Sequence, residues 1–68
     1  MSKELWVEVK GFPDYVMTRQ GEVFNIKLQR EVAHRYSDYL FVILMKNGKQ
    51  YNRAVRALIR ENFPGSEG

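Results

Sequence analysis

The sequence predicts a small α+β domain, built from antiparallel β-hairpins that form a sheet, with one C-terminal α-helix. Three observations carry this. An apolar run at residues 39–45 leads into Asn47-Gly48 and then into a second β-like run at 49–53. That dipeptide between two such runs marks a two-residue hairpin turn, because both turn residues need positive φ. Upstream, short β-branched and aromatic runs are punctuated by Gly and Pro. Downstream, Val55, Leu58, Ile59 and Asn62/Phe63 recur at i, i+3, i+4 and i+7/i+8, the spacing of one buried helical stripe.

Taken in order, Leu5-Trp6-Val7-Glu8-Val9 is the first strand. Residues 10–14 form a loop, since Gly11 admits positive φ and Pro13 lacks a donor. Tyr15-Val16-Met17-Thr18 is the second strand, Arg19-Gln20-Gly21 a tight turn, and Glu22-Val23-Phe24-Asn25-Ile26 the third strand. Residues 27–38 are polar and weakly patterned, an irregular crossing anchored by Leu28 and Val32. The 39–53 hairpin follows, then a helix over 54–63. Asn52 is the best side chain for its N-cap, and Pro64-Gly65 ends it. Trp6, Phe12, Tyr15, Val23 and Phe63 are the expected core. Residues 1–65 make one domain and 66–68 a disordered tail.

Size and composition narrow the functional classes. A chain of 68 residues buries only ~60% of its unfolded surface, and its core supplies about 3–5 kcal/mol of net stability. There is no cysteine, and His34 is the sole histidine. Neither a thiolate site nor a zinc site of ordinary ligand number can be assembled, and no cofactor is expected. No Ser-His-Asp set or phosphate loop is recognisable, so no small-molecule substrate is expected either. The longest apolar run, residues 39–45, is too short to span a membrane as a helix, and the N-terminus has no signal-like apolar region. The expectation is a cytoplasmic protein with no membrane partner. The net charge is +3, from 11 Lys and Arg against 8 Asp and Glu. This permits a nucleic-acid partner without requiring one. Its placement matters more: Lys46, Lys49, Arg53, Arg56 and Arg60 follow one another with no acid until Glu61.

Two segments carry a resemblance. Trp6, Val9, Gly11-Phe12, Tyr15, Gly21 and Val23 fall on the spacing W-x-x-[IV]-x-G-[YF]…Y-x-V-S-x-x-G-x-V, with Met17-Thr18 at the Val-Ser positions. This resembles the fourth type of NUMOD, the nuclease-associated modular DNA-binding domains. Downstream, Tyr39, Val42, Leu44, Gly48-Lys49, Val55, Leu58-Ile59 and Phe63 resemble the start of phage and homing His-Asn-His endonucleases. Asp38 stands where that pattern has glycine, and Arg56 where it has histidine. The resemblance covers residues 4 to 65. It implies a phage- or prophage-type module in a bacterial host cell that binds double-stranded DNA. It also implies that the nuclease chemistry is missing. Such a nuclease needs a histidine general base and a metal, and the chain stops five residues after Phe63, before the family's further Asn and His residues. The expected protein is not an enzyme.

A twisted two- or three-stranded sheet fits the major groove. Strand alternation puts Lys49, Tyr51 and Arg53 on one face and Gln50 and Asn52 on the other, while Arg56 and Arg60, four apart, share an exposed helical face. Lys49, Tyr51, Arg53, Arg56 and Arg60 are therefore the candidate DNA contacts. The alternative is that these charges only keep the hairpin and helix soluble. A different class of function also stands: a phage-type protein-interaction module that binds and modulates a host enzyme through exposed aromatics and a hairpin edge.

Overall fold

The computed structural model describes residues 5–65. Strands β1 (Val7–Val9), β2 (Phe12–Met17), β3 (Val23–Asn25) and β4 (Arg30–Glu31) form a four-stranded antiparallel sheet in chain order. Strands β5 (Arg35–Tyr36), β6 (Leu40–Lys46) and β7 (Lys49–Ala54) form a three-stranded antiparallel sheet, and α1 (Val55–Asn62) follows β7 directly. The fold class is α+β, as the sequence predicts.

The core is shared by all three layers. Val9, Phe12, Tyr15, Met17 and Val23 come from the first sheet, Val42 and Leu44 from the second, and Val55, Leu58 and Phe63 from α1 and its C-cap. Alternation explains the choice: Tyr15 and Met17, like Val42 and Leu44, are two residues apart and so point to one side of their strand. A hydrogen bond joins the two sheets across this core. β5 pairs with β6 only at Leu40 and Phe41, which leaves the rest of that edge open. There the Met45 N–H donates to the Tyr15 hydroxyl at 2.9 Å.

Two turns require their glycines. Asn47 (φ 53°) and Gly48 (φ 79°) are both left-handed, as the Asn-Gly hairpin demands. Gly21 has φ 95°, and a Cβ there would lie 2.7 Å from Val55 Cγ1. The β2–β3 turn is thus held against α1. It closes through Gly21 N–H to Thr18 O (3.0 Å) and Thr18 N–H to Glu22 O (2.9 Å).

Several expectations are corrected. Residues 10–14 are not one loop. The chain turns at Lys10-Gly11, with Gly11 at φ 83°, and Phe12, Pro13 and Asp14 belong to β2. Pro13 is tolerated because the pairing is irregular there: the register shifts between Glu8 and Val9, and Val9 faces Phe12. The crossing at 27–38 contains two short strands rather than none. Val32 packs on the core, but Leu28 is exposed. Trp6 is not core; it is 42% exposed on the far side of the first sheet. Asn52 does not cap α1, because β7 continues to Ala54, which takes the N-cap position with no side-chain hydrogen bond. The expected tail at 66–68 lies outside the described residues.

Candidate nucleic-acid interface

The second sheet and α1 carry the basic run. Its hairpin register is Val42↔Arg53, Ile43↔Asn52, Leu44↔Tyr51, Met45↔Gln50 and Lys46↔Lys49. Directly paired residues share a face. Lys49, Tyr51 and Arg53 therefore lie on the side of Val42 and Leu44, which faces the core. Toward the hairpin tip this side leaves the core, and Lys46 and Lys49 are exposed.

Tyr51 is half-buried against the core. Its ring meets Phe12 edge-on, with centroids 5.5 Å apart. The Arg53 guanidinium lies 5.4 Å from the centroids of both Phe12 and Tyr51, and the Lys46 ammonium 5.4 Å from that of Phe12. Two cations thus sit on one buried aromatic ring, an arrangement worth about 0.5–1 kcal/mol per exposed pair. Arg53 also donates from Nη1 to Asn52 O at 3.2 Å. Of the five candidate residues, the structure brings Tyr51 and Arg53 into contact and sets Lys49 at the tip. Arg56 and Arg60 are exposed on α1.

The start of α1 breaks the usual electrostatic rule. Its first turn holds no acidic residue, its cap makes no side-chain hydrogen bond, and Arg56 stands in that turn. A helix N-terminus carries partial positive charge, so Arg56 there is locally unfavourable without an anion. Lys46 opposite Lys49 is a second like-charge juxtaposition, costing about 0.2–1 kcal/mol. From Lys49 to Ala54, five strand steps of ~3.4 Å separate these two basic centres by about 17 Å.

The opposite side of the second sheet bears Phe41, Ile43 and Met45 on β6 with Gln50 and Asn52 on β7. Gln50 and Asn52 are exposed. Their amides carry the donor–acceptor pair that matches an adenine edge. They are absent from the sequence-derived site because that site follows the Lys49, Tyr51 and Arg53 face of the strand and the helical arginines. The signal that finds them is alternation: two amides two residues apart on a strand whose other face is occupied by the core.

His34 lies between β4 and β5. Its Nε2–H donates to Gly21 O at 2.7 Å, tying the crossing to the β2–β3 turn. Among the described residues, no group of three or more His, Cys, Asp or Glu side chains is placed to hold a metal ion. No described helix is long and apolar enough to cross a membrane.

The structural comparison supports an HNH-like, nuclease-associated fold for these two small sheets and their C-terminal helix. The structural likeness is to the HNH homing endonuclease I-HmuI, a protein that binds and cleaves DNA: the TM-score is 0.81, with 29% sequence identity over 87% of this chain. The chain spans 36% of the length of that protein. No protein-family model and no curated protein matches the chain.

Proposed function

We propose that this chain is a catalytically incomplete, double-stranded-DNA-binding module of phage or prophage type, of the fourth NUMOD kind with a degenerate start of a His-Asn-His endonuclease. The observation that carries this reading is the likeness of nearly the whole fold to part of a DNA-binding and DNA-cleaving homing endonuclease. The sheet geometry adds a docking mode. The core side of β6–β7 is covered by the first sheet and α1, so the open side, with Gln50 and Asn52, enters the major groove. Lys49 at the tip and Arg56 and Arg60 on α1 bind phosphates at its borders. Arg53, held over Tyr51 and Phe12 on the covered side, braces the hairpin from behind this face. A span of about 17 Å corresponds to about five base-pair steps of 3.4 Å rise along the duplex axis, enough for more than one phosphate contact from a domain this small. The like-charge pair at the tip and the uncapped, basic start of α1 then acquire a purpose, since both lose their cost when phosphate arrives.

Catalytic incompleteness rests on Arg56 at the histidine position and on His34 being engaged with Gly21 O. The test is duplex binding measured across a salt series for the wild type and for Arg56→Gln/Arg60→Gln. The wild type is expected to lose affinity steeply with salt, and the double variant to lower the slope of log K against log[salt] by roughly one unit per lost phosphate contact. Absence of duplex binding by the wild type at low salt would sink the reading.

A further inference from the structure

The outer face of the first sheet has the opposite chemistry from the basic hairpin. The register sets Glu8 beside Val16, Val16 beside Phe24, and Phe24 beside Glu31, one row across all four strands with a carboxylate at each end. Asp14, two residues before Val16, faces the same side. The Trp6 ring stacks edge-on against Phe24, centroids 6.3 Å apart. Trp6, Val16 and Phe24 line a shallow recess of about 340 Å³, and Ile26 is 48% exposed beside it. Core packing does not explain this: the buried residues of β2 and β3 are Phe12, Tyr15, Met17, Val23 and Asn25, which face the core.

We propose that this face is a docking surface for a partner protein, in the form of a segment with a large apolar anchor flanked by Lys or Arg. Charge complementarity selects the occupant. The row Glu8-Val16-Phe24-Glu31 carries a carboxylate at each end and no base, with Asp14 at its margin, where it also adjoins Lys27 and Lys46, so this row disfavours a duplex with one negative charge per ~1.7 Å. An apolar centre with a charged rim is the anatomy of a protein interface, and tryptophan is among the residues that dominate such interfaces. The anchor enters the recess against Trp6 and Phe24, and its flanking cations meet Glu8, Asp14 and Glu31. The proposal stands on a different face from the proposed DNA interface and does not depend on it.

Trp6 is the sole tryptophan, so its emission reports directly on this face. Three peptide probes of equal length are titrated against the full chain: alternating Leu/Lys, alternating Ser/Lys and alternating Leu/Glu. The Leu/Lys peptide is expected to shift Trp6 emission to the blue and to saturate, with the Ser/Lys peptide at least tenfold weaker and the Leu/Glu peptide without effect. The variant Glu8→Gln/Asp14→Asn/Glu31→Gln, its folding verified by circular dichroism, should bind the Leu/Lys peptide at least tenfold more weakly while binding duplex at least as well as the wild type. Equal response to the Ser/Lys and Leu/Lys peptides, or an unchanged affinity in the triple variant, would overturn the proposal. So would a blue shift that grows with protein concentration alone and accompanies dimer sedimentation, because the occupant would then be a second copy.

Discussion

At the scale of single residues, glycines of similar φ differ in what their neighbours allow. A methyl group added at Gly48 (φ 79°) would meet no heavy atom within 4 Å, whereas one added at Gly21 (φ 95°) would lie 2.7 Å from Val55 Cγ1. Gly48→Ala therefore costs only the left-handed penalty of about 1–2 kcal/mol. Gly21→Ala adds overpacking of about 1–3 kcal/mol. Each kcal/mol lowers Tm by about 4–8 °C in a domain of this size, so thermal unfolding should rank Gly21→Ala clearly below Gly48→Ala. Equal midpoints would mean that the turn is not pressed against α1. Gly65 is also left-handed (φ 89°) with open space around it, so a substitution there is strained as well, although it lies beyond the last helical turn. Tyr15 makes a different kind of prediction. Tyr15→Phe keeps the ring in the core but orphans the Met45 N–H, with an expected loss of about 1 kcal/mol, to be read by denaturant titration.

At the scale of elements, hairpin and helix set stability against binding. Lys46 opposite Lys49 is repulsive in the free protein. Lys49→Gln should therefore raise stability by a few tenths of a kcal/mol, a rise in Tm of about 1–4 °C, while weakening duplex binding. A variant that lowered both would assign Lys49 a structural role. Arg53→Gln should show the reverse coupling. It removes two cation–ring contacts, so stability falls together with affinity, whereas Arg56→Gln should weaken affinity while raising Tm slightly, because a cation in the first turn opposes the helix dipole. Measuring Tm and Kd for these three variants separates phosphate contacts from packing. In α1, Leu58 is 1% exposed, and Leu58→Ala should cost about 2–5 kcal/mol. That equals most of the ~3–5 kcal/mol available to so small a core, so circular dichroism should find much of the chain unfolded, with Leu58→Met close to wild type.

At the scale of the whole molecule, the two sheets differ in chemistry: carboxylates flank an aromatic recess on the outer face of the first, while the second turns two amides outward and carries lysines at its hairpin tip. The proposed division is DNA on the second sheet and a protein segment on the first. We predict that the protein neither nicks nor cleaves plasmid in magnesium or manganese. Dose-dependent nicking that co-purifies with the chain through successive columns would show that Arg56 does not mark a lost active site.

The sequence by itself determined the α+β class, the Asn47-Gly48 hairpin, the β2–β3 turn, the α1 stripe and the likeness to nuclease-associated modules. Each of these is a local signal, written in turn residues or in a period of 2 or 3.6. Tertiary structure alone decided the rest. The strands at 30–31 and 35–36 exist because neighbouring strands offer backbone partners, since two-residue segments carry no periodicity of their own. Trp6 left the expected core because apolar character does not say which side of a sheet is covered. Tyr51 and Arg53 turned inward for the same reason: alternation groups residues into faces, but only the packing of the second sheet against the first chooses which face meets the core and which meets a partner.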